Sequence, residues 1–184
     1  LCRIISKIES PGVINHLGIK PVVVFGELDQ SISKRIKWLK CEFENANISA
    51  RISENITVDL WKKFMFICSG GLLAVTRSTY GEVRETEETK LMLNQLFSEI
   101  YHLALKSGIE LEPEIVQKSL DFIDSLPYNS TASMARDVWE GKPSEIEYQN
   151  GTVVKLADEL GVHVPVNRFI YACLLPLEKR ARKN

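Results

Sequence analysis

Lys62 and Lys63 stand side by side at the head of an apolar run, WKKFMFICSGG, residues 61–71. Burying an ammonium is costly unless a partner or a shifted pKa answers it. On a helix, Lys63 shares a face with Ile67, Gly70, Gly71 and Ala74, and Lys62 shares one with Phe66, Ser69 and Leu73. Glycines 70 and 71 would admit another backbone or a ligand at close range. The plainer reading has both lysines snorkelling to solvent from the first turns. Periodicity alone does not choose which one faces a cleft.

A second stretch, NSTASMARDVWEGKPSEIEYQNG (129–151), holds the other candidate groups. Ser133 falls near a helix start, where a hydroxyl and free backbone N–H groups can take up a carboxylate. Glu145 follows Pro143 and Ser144 and reads as a helix-start acid satisfied by the dipole. Its functional alternative is a pair with a lysine from another helix.

The elements that must position these residues divide the chain near residue 54. In residues 1–54, CRIISKI, GVINHL and KPVVVFGEL are β-branched runs separated by turn signals and predict a small antiparallel meander. SISKRIKWLKCEFENAN predicts an amphipathic helix with Ile32, Ile36, Leu39 and Phe43 on one face, and ISARIS a last strand. So little sheet leaves an edge and a face uncovered, which predicts missing partners and exposed apolar surface there. Residues 55–184 read as six helices. Asn55 or Thr57 caps a long one reaching Arg77, and Tyr80-Gly81 breaks it. Helices over 85–107, 113–125, 131–140, 144–160 and 166–182 follow, the last kinked at Pro176. The fold class is therefore mainly α, a helical bundle after a short α/β segment.

The composition, 45% hydrophobic and 26% charged, supports a real core. A net charge of −1 provides no general basic field for nucleic acid, and EKRARKN at the end reads as a frayed helix terminus. No apolar run reaches transmembrane length. Cys2, Cys41, Cys68 and Cys173 lack CxxC spacing and read as reduced thiols, Cys68 and Cys173 in apolar helical settings. No metal-ligand spacing is present, and a cytoplasmic location is expected.

WKKF, SGGLLAVTRSTYGEVRE and NSTASMARDVWEGKPSEIEYQNGTVVKLADELGVHVPVN together resemble the ketopantoate reductase (2-dehydropantoate 2-reductase) family. PGVINHLG and VVVFGEL resemble the last strands of that family's nucleotide domain. The resemblance implies a truncated NADP-binding Rossmann domain over 1–54 and a helical C-terminal domain over 55–184. The latter is the bundle type found at the C-terminus of 6-phosphogluconate dehydrogenase. It implies NADPH as cofactor, a small 2-keto acid as substrate and hydride transfer giving a 2-hydroxy acid. By the W-x-K pattern, Lys63 is the implied general acid, with Trp61 two residues before it. Glu145 is the implied supporting carboxylate, orienting the lysine and touching the cofactor, and Ser133 the implied substrate-binding hydroxyl. Lys62 is then an ordinary surface lysine. A homodimer is a further expectation.

Two departures matter. No GxGxxG follows a strand, so the chain is expected to be a C-terminal piece that binds NADPH poorly and turns over nothing alone. Ile67 stands four residues after Lys63, Gly70-Gly71 fills the next turn, and Tyr80 precedes Gly81, where the family carries asparagines. Losing amide donors should weaken a site built for a hydroxylated keto acid. A paralogue reducing a different, more apolar 2-keto acid is the first alternative. A non-catalytic helical dimerisation module is the second.

Overall fold

The β-branched runs form strands, but not a meander. The computed structural model describes residues 1–4, 6–16 and 20–183, the side chains of Arg3 and Lys7 apart. It contains two compact units, Leu1–Leu60 and Trp61–Asn184.

In the first unit the elements run β1 (Cys2–Arg3), β2 (Ser6–Ser10), β3 (Val13–His16), β4 (Val22–Phe25), α1 (Lys34–Asn45) and β5 (Ser49–Ile52). β2 and β3 form a separate antiparallel ribbon turning at Gly12, whose φ of +83° suits glycine. The other strands make a sheet in the order β1-β4-β5. β1 is antiparallel to β4, whereas β4 and β5 are parallel. β3 pairs with β2 and β4 with β1, so the three runs fall into two sheets instead of the expected meander, and the parallel neighbours β4 and β5 are joined by a crossover through α1. Ser33 caps α1, its Oγ accepting from Ile36 N at 3.3 Å. Ile32 therefore lies before the helix and is 65% exposed, off the face assigned to it. Ile36 is buried on that face, and the Phe43 ring sits 5.8 Å from that of Phe25. Ile8, Ile14, Leu28 and Trp38 are 74%, 71%, 81% and 63% exposed, the uncovered apolar surface that so small a sheet predicts.

The long helix α2 runs Ile56–Thr76, and Asn55 Oδ1 accepts from Val58 N at 3.2 Å as its cap. Then come α3 (Tyr80–Glu85), α4 (Glu87–Lys106), α5 (Ile115–Ser125), α6 (Ser133–Trp139), α7 (Asn150–Leu160) and α8 (Pro165–Ala181). Met65, Leu72, Phe97, Ile123, Ile146 and Ile170 are fully buried at the centre of the second unit. Tyr80-Gly81 starts a helix instead of ending one. Thr79 and Glu82 form a capping box, with Glu82 N donating to Thr79 Oγ1 (3.2 Å) and Thr79 N to Glu82 Oε2 (2.7 Å). The next N–H groups, of Tyr80 and Gly81, donate to Ser130 O and Tyr128 O. α7 begins at Asn150, later than expected, and Pro176 lies within α8, which continues to Ala181.

A buried polar chain ties four helices together. Glu99 of α4 accepts from Val166 N (2.8 Å), Asn167 N (3.0 Å) and Asn167 Nδ2 (2.7 Å), satisfying donors that the start of α8 cannot pair internally. Asn150 Nδ2 donates to Asn167 Oδ1 (3.0 Å) and to Cys68 O of α2 (3.2 Å). Among the described residues, no helix is long and apolar enough to cross a membrane.

Candidate active site

The two lysines have different surroundings. Lys62 Nζ lies 2.6 Å from Glu112 Oε1, and Lys118 pairs with the other oxygen of that carboxylate. Hydrogen bonds from Lys118 and Lys62 hold the Glu112 carboxyl down at about 2. Lys62 is thus half-buried and tied to the connection between α4 and α5, not an ordinary surface lysine. Lys63 is half-buried and points about 100° away around the helix.

The Lys63 face of α2 leads to the glycine pair. A Cβ at Gly70 would lie 2.9 Å from Ala132 Cβ and 4.0 Å from Gln149 Oε1. One at Gly71 would lie 2.4 Å from Asn150 Oδ1 and 2.6 Å from Ile170 Cγ2. The glycines therefore admit the starts of α6 and α7 and the side of α8, not a ligand. Gly70 is two turns beyond Lys63, about 10 Å along the axis. Ala132 precedes Ser133, and Gln149 holds Glu145. The glycine contacts thus bring the segments bearing Ser133 and Glu145 onto the helix face that carries Lys63.

Ser133 is the exposed first residue of α6, and Ala132 before it offers no side-chain cap. Glu145 is exposed and lies five residues before α7, so the helix-start role expected for it does not hold. Its carbonyl accepts from Tyr148 N and Gln149 N (both 3.0 Å), and its Oε2 accepts from Gln149 Nε2 (3.1 Å). Its neighbours Ser144 and Ile146 are buried. Ser144 N and Oγ donate to Glu178 Oε2 (2.8 and 2.7 Å), and Arg182 Nη2 donates to Ser144 O (3.2 Å). Arg182 Nε is also 2.6 Å from Glu178 Oε1. The basic C-terminal stretch, expected to be a frayed end, thus anchors the loop that carries Glu145.

Of the departures, Ile67 is half-buried one turn past Lys63. Tyr80 belongs to the core. It is 3% exposed, its hydroxyl shares a hydrogen bond with Ser69 Oγ (2.9 Å), and its ring stacks on Phe66. Burial pushes its phenol up to about 12. Cys68 is buried as expected, whereas Cys173 is exposed. A cavity of about 190 Å³ lined by Ala74, Arg77, Val138, Cys173 and Leu177 sits at the far end of α2. Arg77 lies about 21 Å along the helix from Lys63, so that cavity is not this site. Sequence reasoning missed Glu112, Gln149 and Glu178. Only Gln149 had a local signal, its i+4 spacing from Glu145.

Residues 55–178 match the family model described as ketopantoate reductase PanE/ApbA C terminal. The chain belongs to this ketopantoate reductase family. It is 31% identical over 182 residues to the 2-dehydropantoate 2-reductase of Aquifex aeolicus, covering 92% of this chain and 57% of that protein. It is 29% identical over 175 residues to the uncharacterized oxidoreductase YkpB of Bacillus subtilis, covering 95% of this chain and 58% of that protein. The crystal structure of 2-dehydropantoate 2-reductase from Methylococcus capsulatus superposes with a TM-score of 0.85 at 27% identity, covering 100% of this chain and 58% of that one. The chain thus spans just over half the length of these relatives, and its helical unit carries the family's C-terminal domain.

Proposed function

We propose that this chain is the substrate-binding and proton-donating part of an NADPH-dependent reductase that converts 2-dehydropantoate to pantoate. Residues 1–54 are then the end of its nucleotide domain and residues 55–184 its helical domain, working in the cytoplasm as a homodimer. The observation that carries the reading is the arrangement on α2. The face bearing Lys63 meets, at Gly70, the residue before Ser133 and the amide that holds Glu145.

Among the described residues no glycine-rich turn joins a strand to a helix, and we infer that the chain alone holds NADPH poorly. The exposed Glu145 carboxylate is the group it offers to a bound nucleotide. NADPH, when bound, supplies the hydride. Lys63 protonates the carbonyl oxygen of the keto acid and stabilises the charge that develops there. Glu145 holds that ammonium in one orientation. Ser133 Oγ and the uncapped first turn of α6 bind the substrate carboxylate. By itself the chain is inactive.

The test is NADPH oxidation by the full-length protein with 2-dehydropantoate and with a panel of bulkier, apolar 2-keto acids, beside Lys63→Ala. Turnover of 2-dehydropantoate that falls at least about 100-fold in the variant supports the reading. Turnover of the apolar acids alone moves the substrate to a paralogue's, which Ile67 in the Lys63 face favours. No turnover of any of them overturns the reductase reading.

A further inference from the structure

We infer that Gln149 is a positioning residue of this site, fixing the orientation of the Glu145 carboxylate. The inference rests on the role proposed above for Glu145. Gln149 stands at the N-cap position of α7, yet its side chain does not cap that helix. Instead Nε2 reaches back to Glu145 Oε2 at 3.1 Å. An ionised carboxylate only accepts hydrogen bonds, so the nitrogen end of the amide must face Glu145 and the carbonyl end must face away.

That carbonyl end lies in an unfavourable place. The residue is 6% exposed, and Oε1 is buried with no hydrogen-bond partner among the described residues, 4.0 Å from the point a Cβ on Gly70 would occupy. A buried acceptor without a donor is worse for the fold than an apolar side chain of similar length. Methionine would fill the same space beside Gly70 and Met134 with no polar atom to satisfy. Packing therefore argues against glutamine here, and the hydrogen bond to Glu145 argues for it. A local rule broken at a stability cost, next to a carboxylate of the site, is the mark of a residue kept for function.

The neighbouring amide cannot do this work. Asn150 Nδ2 is already bonded to Cys68 O and Asn167 Oδ1. Nor can the Lys63 face of α2, where Ile67, Gly70 and Gly71 bear no amide. Gln149 thus brings to the site, from α7, an amide that α2 lacks.

The experiment uses the full-length protein with NADPH and the 2-keto acid of the panel above that it reduces fastest. Parent, Gln149→Met, Glu145→Gln and the double variant are compared in kcat, KM and Tm. Losing one hydrogen bond to a charged group should lower kcat about 10-fold in Gln149→Met. KM for the keto acid should change little, and Tm should stay level or rise. In the Glu145→Gln background the same substitution should change kcat less than about twofold. Gln149→Glu, which sets a like charge against Glu145, should lower kcat further, and Gln149→Asn should not rescue it, its amide being one methylene short. A fall in Tm with kcat unchanged would make Gln149 a packing residue and overturn the inference. So would an equal loss of kcat in both backgrounds. A parent indifferent to Glu145→Gln overturns the role of Glu145 and this inference together. One that needs Glu145 but tolerates Gln149→Met overturns this inference alone.

Discussion

Gly71→Ala should destabilise the helical unit even though alanine is the better helix former. Gly71 lies inside α2, where alanine is favoured over glycine by about 1 kcal/mol. Against that gain, the new methyl would sit 2.4 Å from Asn150 Oδ1 and 2.6 Å from Ile170 Cγ2. Both residues are fully buried. Asn150 cannot retreat without straining its bonds to Cys68 O and Asn167 Oδ1, each worth about 1 kcal/mol net. Displacing Ile170 in a close-packed core adds about 2 kcal/mol. The gross cost of about 4 kcal/mol less the propensity gain leaves a net loss of about 3 kcal/mol. For a chain of this size that lowers Tm by about 6–12 °C. Gly70→Ala is the internal control. Its closest new contact is Ala132 Cβ at 2.9 Å, a single and smaller overlap than the two at Gly71, so its Tm should fall less. Thermal unfolding followed by circular dichroism reads both. If Gly71→Ala raises Tm, or Gly70→Ala is the worse of the two, helix propensity has won and the close-approach argument is wrong.

Other consequences follow from the carboxylates that sequence reasoning missed. Glu112 is held at about 2 by Lys118 and Lys62, below its ordinary 4.5. A depressed carboxyl pKa contributes stability above about 4.5 that is lost as pH falls towards 2. The pair is part-exposed, so Glu112→Gln should cost only about 0.5–1 kcal/mol at pH 7. Urea titrations should show the gap closing by pH 2.5; a gap that stays constant would refute the ion-pair account. Glu178→Gln weakens the acceptor of Ser144 N and Oγ in a buried site and should cost about 1–3 kcal/mol. Hydrogen exchange should find the Ser144 amide opening at least about tenfold faster. Unchanged protection there would mean that the loop carrying Glu145 is held by something else.

Local patterns were legible in the sequence where they repeat within a turn or two, and illegible where the partner is far along the chain. The 3.6-residue period correctly put Lys63, Gly70 and Gly71 on one face of α2. The Ser33 cap and the Thr79-to-Glu82 capping box each lie within one turn, and the box starts α3 at Tyr80-Gly81, the pair whose glycine reads as a break. The parallel pairing of β4 and β5 was harder, since a short apolar strand looks alike in either direction. Its clue was the strand-helix-strand order around α1. Glu112 and Glu178 gave no clue, because they act on Lys62 and Ser144, 50 and 34 residues away. What the glycine pair does follows from the same distinction. Its spacing is local, but what it admits, Ala132, Gln149, Asn150 and Ile170, comes from three other segments. The glycines thus act on the site at one remove, by drawing in the segments that bear Ser133 and Glu145. Gly71→Ala should therefore lower kcat in the full-length protein at temperatures where the variant is still folded, since the start of α7 cannot shift without carrying Gln149 and Glu145 with it.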